Sequence, residues 1–187
     1  MVHLVLTNIK FLKMDITQAD QYYLKARNNF PYEMETALEN LNYALSFDDE
    51  HAPANCLLGQ IFMFYLKDYE KAEQCFVQAL QSNLSYPDTY KYFAMLKIWN
   101  ADINGALKLI NYAMKLKAMD RSSLLTIKAL GYECRGQFKL ANEVLNEATS
   151  ISVQCHVIDY IDSQKQRIKK KEKHSAKNGK PKKEKQK

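Results

Sequence analysis

The chain has 187 residues, with 27 Lys and Arg against 21 Asp and Glu, a formal net charge of +6. Five glycines and four prolines leave little material for hairpins, which argues against a strand-rich domain. The charge is unevenly placed: Ser163 to Lys187 holds 12 basic residues against two Glu, net +10, so the remainder is −4 by subtraction. An acidic body therefore trails a basic end.

In chain order, the first stretch, "MVHLVLTNIKFLK", has no basic region before its apolar run and no small-residue cleavage site. It is also too short to span a bilayer, so neither a secretory signal nor an anchor is expected, and Met14 is an alternative start. Residues 1–14 are read as an extension. Helical spacing of apolar residues then predicts helices over 17–29, 32–46, 53–65, 69–82, 87–99, 103–117, 121–134 and 137–150. Pro31, Pro53 and Pro87 each precede such a pattern, where a missing N–H costs nothing. Asp68, Asp102 and Asp120 are placed to cap the helices that follow them. A ninth helix is expected over 151–168, where Val157, Tyr160, Ile161 and Ile168 share a face and Asp159, Asp162 and Gln164 fall between them. Residues 169–187, with Lys169, Lys170, Lys171, Lys173, Lys182 and Lys183, read as a disordered tail, because so charged a segment has little apolar surface to bury.

Four of these helices carry one stripe: Ala37, Leu41, Ala44; Ala72, Phe76, Ala79; Ala106, Ile110, Ala113; Ala141, Leu145, Ala148. From the first alanine of each set to the next, the steps are 35, 34 and 35 residues. Small residues two helical turns apart with a large one between them suit a helix pressed against a partner at two points. A fixed period in this range marks a solenoid, in which each unit buries its apolar face only by stacking on its neighbours.

Here the chain resembles the tetratricopeptide repeat family, whose pattern runs Trp-x2-Leu-Gly-x2-Tyr on a first helix and Ala-x3-Phe-x2-Ala on a second. Leu58, Gly59 and Phe62 match the first helix of the second unit, with one extra residue between its two helices. The third unit offers Tyr90, Phe93 and Ala94, with Lys97 at the usual aromatic position; the fourth offers Leu125, Ala129 and Tyr132. The first unit's first helix has no residues that set its register, as suits a terminal repeat. The resemblance implies an all-α, right-handed solenoid of about four units, at 15–48, 49–84, 85–118 and 119–150, closed by the ninth helix as a cap.

It also implies a concave groove lined by the first helices. Carried over by repeat position, the groove residues are Cys56, Gln60, Met63 and Phe64; Asp88, Lys91, Met95, Ile98 and Trp99; Ser123, Thr126, Leu130, Glu133 and Cys134. The middle of that surface is apolar, and Met and aromatic linings suit a helical or extended segment of a partner protein. The family's Lys and Asn clamp for a terminal carboxylate is missing: Cys56, Leu57, Gln60 and Tyr92 stand at its positions. Trp99, the only tryptophan, is either a groove anchor or a core residue at a helix end.

No Gly-rich phosphate loop, GxSxG, HExxH or recognisable carboxylate pair occurs, so no enzyme, cofactor or small-molecule substrate is expected. Cys56, Cys75, Cys134 and Cys155 are scattered without paired spacing, as are the four histidines, which argues against metal and for a reducing compartment. The expected function is a cytoplasmic, non-enzymatic adaptor that binds a partner segment in its groove. The alternatives are an RNA- or ribosome-associated protein using its tail, and a secretion-type chaperone holding unfolded cargo. The tail's lysines would suit phosphates or an anionic membrane surface, and no aromatic interleaves them for base stacking.

Overall fold

The structure, a computed structural model, describes residues 16–178, with side chains through residue 175. Among the described residues there are nine α-helices and no strand. They are α1 Gln18–Asn29, α2 Met34–Phe47, α3 Ala52–Ile61, α4 Tyr69–Ser82, α5 Pro87–Trp99, α6 Ile103–Ala113, α7 Arg121–Cys134, α8 Phe138–Ile151 and α9 Cys155–Asn178. The N-terminal extension expected at 1–14, and Lys182 and Lys183 of the tail, lie outside the described residues.

The caps follow from side-chain chemistry. Thr17 and Asp20 form a reciprocal capping box on α1. Asp68, Asp102 and Asp120 accept the backbone N–H of Lys71, Gly105 and Ser123, which satisfies an orphan donor in the first turn of α4, α6 and α7.

Each second helix buries its stripe completely. Ala37, Ala44, Ala72, Ala79, Ala106, Ala113, Ala141 and Ala148 expose no surface, and neither do Leu41, Phe76, Ile110 and Leu145 between them. The facing small residues, Ala26, Gly59, Ala94 and Ala129, are buried on the first helices. At Gly59 the approach is close: a Cβ there would lie 2.7 Å from Cε1 of Phe76. The Phe76 ring therefore rests on the α3 backbone, and only glycine leaves room for it.

The turn between paired helices has its own signature. Lys67, Ala101 and Gly136 are left-handed, with φ of 57°, 61° and 70°, and they recur at steps of 34 and 35 residues. The extra residue of the second unit is absorbed just before Lys67. There α3 widens into a π-helical turn, Phe62–Leu66, which takes in an additional residue without breaking the helix.

Two helix ends depart from the sequence reading. α6 stops at Ala113 rather than 117, because residues 114–118 turn back, Ala118 is left-handed, and Met114 and Leu116 tuck into the core. α9 runs to Asn178, so helix replaces the expected disorder over 169–178. Lysine, arginine and glutamate are good helix formers, and Ile161 and Ile168 anchor the helix by full burial against Leu125, Ala129 and Leu145.

The first helices touch one another across units, α1 on α3, α3 on α5 and α5 on α7, whereas second helices of successive units make at most marginal contact. The side on which helices crowd is the inside of the curve. The first helices therefore form the concave face.

Candidate partner-binding groove

Of the residues assigned to the groove, Asp88, Trp99 and Cys134 are exposed, and Gln60, Phe64, Lys91, Met95, Ser123, Thr126 and Leu130 are half-buried. Cys56, Met63, Ile98 and Glu133 are buried instead, a correction with a separate cause in each case. The π turn swings Met63 into the core beside Phe76 and Phe93. Ile98 packs against Ala106, Ile110 and Leu124 and touches the small Gly131. Cys56 sits in the α3–α5 seam, where burial pushes its thiol up to about 12. That leaves a neutral, unreactive small residue.

The open apolar part of the face is an aromatic patch built by the π turn and the end of α5. Phe64 meets Tyr92 and Trp99 edge to face at 6.0 and 5.5 Å between centroids, and Tyr69 meets Trp99 at 6.2 Å. Trp99 keeps 42% of its surface exposed, and Tyr65 and Leu66, which follow Phe64 in the π turn, stay open as well. This is neither a core tryptophan nor a free one. Edge-to-face partners hold the indole while one side remains available.

At the N-terminal end the groove is fixed by polar contacts. His51 Nδ1 accepts the Ala54 N–H at 3.1 Å, so its Nε2–H donates to Asp20 Oδ1 at 3.0 Å. This bond, then those from Thr17, holds the Asp20 carboxyl below its ordinary value of 3.8. One histidine thereby caps α3 and ties α1 to it.

At the C-terminal end Glu133 is reached from α9. Burial alone would push its carboxyl up, but Arg167 and Lys171 outweigh it and hold the group below 4.5. Arg167 is bidentate, with its Nε donating to Oε1 at 3.0 Å, and Lys171 Nζ lies 2.7 Å from Oε1. Glu133 is thus a fastening for α9 and not a ligand contact. The pairing also shows what α9 is. Residues 34 apart meet, Glu133 with Arg167, and the same offset relates Ser123 to Val157 and Thr126 to Tyr160. α9 stands where the first helix of a fifth unit would stand.

It therefore carries groove residues that were missed when it was read only as a cap. Lys91 of α5, Ser123, Thr126 and Ile127 of α7, and His156, Val157 and Tyr160 of α9 surround one cavity of about 270 Å3. The 34-residue offset from Ser123 and Thr126 finds Val157 and Tyr160, whereas His156 corresponds to Ser122, which is not an assigned groove position. Among the described residues no group of His, Cys, Asp and Glu is arranged to hold a metal, and no helix is long and apolar enough to cross a membrane.

No family model matches the sequence, and no curated protein matches it either. Solved structures do. Pseudomonas aeruginosa pilF superposes with a TM-score of 0.72 at 16% identity, covering 85% of this chain and 71% of that one. PilW, a widely conserved type IV pilus biogenesis factor, gives 0.68 at 16% identity, covering 81% and 78%. MamA of Desulfovibrio magneticus RS-1, from residue 41 to its end, gives 0.62 at 15%, covering 86% and 90%. All three are tetratricopeptide-repeat proteins. This chain has the tetratricopeptide-repeat fold. Identity so low beside a fold so similar is what the array's construction allows, since a few small and large positions per unit determine how tetratricopeptide helices stack.

Proposed function

We propose that the chain is a non-enzymatic adaptor that holds a segment of a partner protein on its concave face. The observation that carries this reading is the half-open aromatic patch of Phe64, Tyr92 and Trp99, because partly exposed aromatics in a concavity are the usual anchors of an interface. The shared fold supports a protein-interaction scaffold in general. A reducing, cytoplasmic setting fits the four free cysteines.

Purification from native cells, with the intact chain beside Trp99→Ala, tests the reading. A partner retained by the former and lost by the latter, at unchanged melting temperature, is the expected result. Equal recovery by both would remove the groove from the account.

A second reading is favoured by α9, which carries seven Lys and Arg against three Asp and Glu and exposes Lys169, Lys170 and Lys173. A rigid basic helix would contact RNA phosphates without sequence preference. Binding of a structured RNA that disappears at high salt and on Lys169→Glu/Lys173→Glu would support it; salt-insensitive or absent binding would not.

A further inference from the structure

We propose that the C-terminal half of the groove selects an acidic segment of its partner, with one apolar side chain in the cavity between α5, α7 and α9 and a carboxylate beside Lys91. The proposal rests on the groove reading above and adds the chemistry of the ligand.

The cavity's size comes first. At about 270 Å3 it lies just below the range of roughly 300–1,000 Å3 of small-molecule pockets, so it suits a single side chain better than a whole metabolite. Ile127 and Val157 give it an apolar lining. Its hydroxyls are partly committed: Thr126 Oγ1 donates to the Ser122 carbonyl, and Ser123 Oγ to the Asp120 carboxylate that caps α7. Lys91, His156 and the Tyr160 hydroxyl are left to meet a ligand.

Their charge comes next. No acidic residue lines the cavity. Lys91 is half-buried, its ammonium lies 5.1 Å from the Tyr92 ring centroid, and among the described residues it has no carboxylate within ion-pair distance. A cation partly withdrawn from water, steadied by a ring face but lacking a counter-ion, gains most from an anion that arrives with the ligand. Further along α9, Glu133 is met by two cations, which leaves a surplus of one positive charge. Asp88 precedes Lys91 by one turn but is exposed and outside the cavity lining. Among the residues that line the cavity Lys91 therefore carries the one unbalanced charge, with Asp88 and the Asp120 cap outside the lining.

The test is selection from a displayed library of random peptides of about 12 residues on the full chain. Enriched sequences should place Asp or Glu within two or so residues of Leu, Ile or Phe. Their synthetic forms should bind roughly tenfold more weakly to Lys91→Glu, and weaken from about 0.05 to about 0.5 M salt, with the variant's melting temperature unchanged. Tyr160→Ala should weaken them as well. Enriched peptides without acidic residues, indifference to Lys91→Glu, an absence of enrichment, or equally tight competition by poly(U) RNA would each overturn the proposal. If non-acidic peptides are enriched and are still lost on Trp99→Ala, the groove reading stands and only the acidic ligand falls. Peptides indifferent to both variants would remove both.

Discussion

At the scale of single residues the array depends on positions where one methyl group matters. Ala113 is fully buried between Ile110 and the start of the next unit. Ala113→Leu should overpack this site and cost about 1–3 kcal/mol, read from denaturant unfolding; an unchanged midpoint would contradict the helix spacing described here. The left-handed turn offers the opposite case. Ala101 has φ of 61°, where an L side chain crowds its own carbonyl, while the equivalent place in the next unit is already Gly136. Ala101→Gly should therefore stabilise the protein by up to about 1 kcal/mol, because the relief exceeds the added freedom of the unfolded chain. A drop in the unfolding midpoint would show that the Ala101 methyl group makes a contact worth more than the strain.

At the scale of elements, α9 shows how charge and burial act together. Ile161 and Ile168 dock the helix, and the Glu133 carboxylate, with 1% of its side chain exposed, fastens it. Removing both cations, in Arg167→Ala/Lys171→Ala, leaves that carboxylate buried and unpaired, a loss of about 3–5 kcal/mol of the kind that follows when a buried charge is deserted. Lys171→Ala alone should cost far less, since Arg167 remains and the lysine is mostly in solvent. Acid should act in the same direction. The Glu133 pKa is below 4.5 in the folded chain and near that value when unfolded, so its stabilisation is complete above about pH 4.5 and fades as the pH falls through the folded value. Circular dichroism during acid titration should show this loss, and Glu133→Gln should remove that part of the pH dependence. A variant that titrates like the original chain would assign the effect elsewhere.

At the scale of the whole molecule, the question is whether the concave face is a surface or a seam. Trp99 reports on it alone, as the sole tryptophan. With 42% exposure, its emission should be intermediate and quenchable by iodide, and it should shift blue when a partner or selected peptide is added. Trp99→Ala should weaken that binding by ~2 kcal/mol or more and change stability by less than the about 3–5 kcal/mol of a core aromatic. A fully buried emission maximum, insensitive to quencher and ligand, would return Trp99 to the core and close the groove.

Much of this architecture is legible in the sequence. The alanine stripes and their 34–35-residue steps determined the number of units, the pairing of helices and the side each buries, because small residues two turns apart suit close helix contact. Tertiary structure alone decided which groove positions stay open. Met63 and Ile98 have the composition of a binding surface, yet a π turn and a neighbouring glycine take them inside. It also turned α9 from a cap with a loose tail into a helix placed like the first of a fifth unit, held by Glu133, a residue that by spacing belonged to the groove. The physical reason is range. Periodicity and capping act within a few turns of one helix and are written in adjacent residues, whereas burial of a side chain depends on partners tens of residues away in the chain.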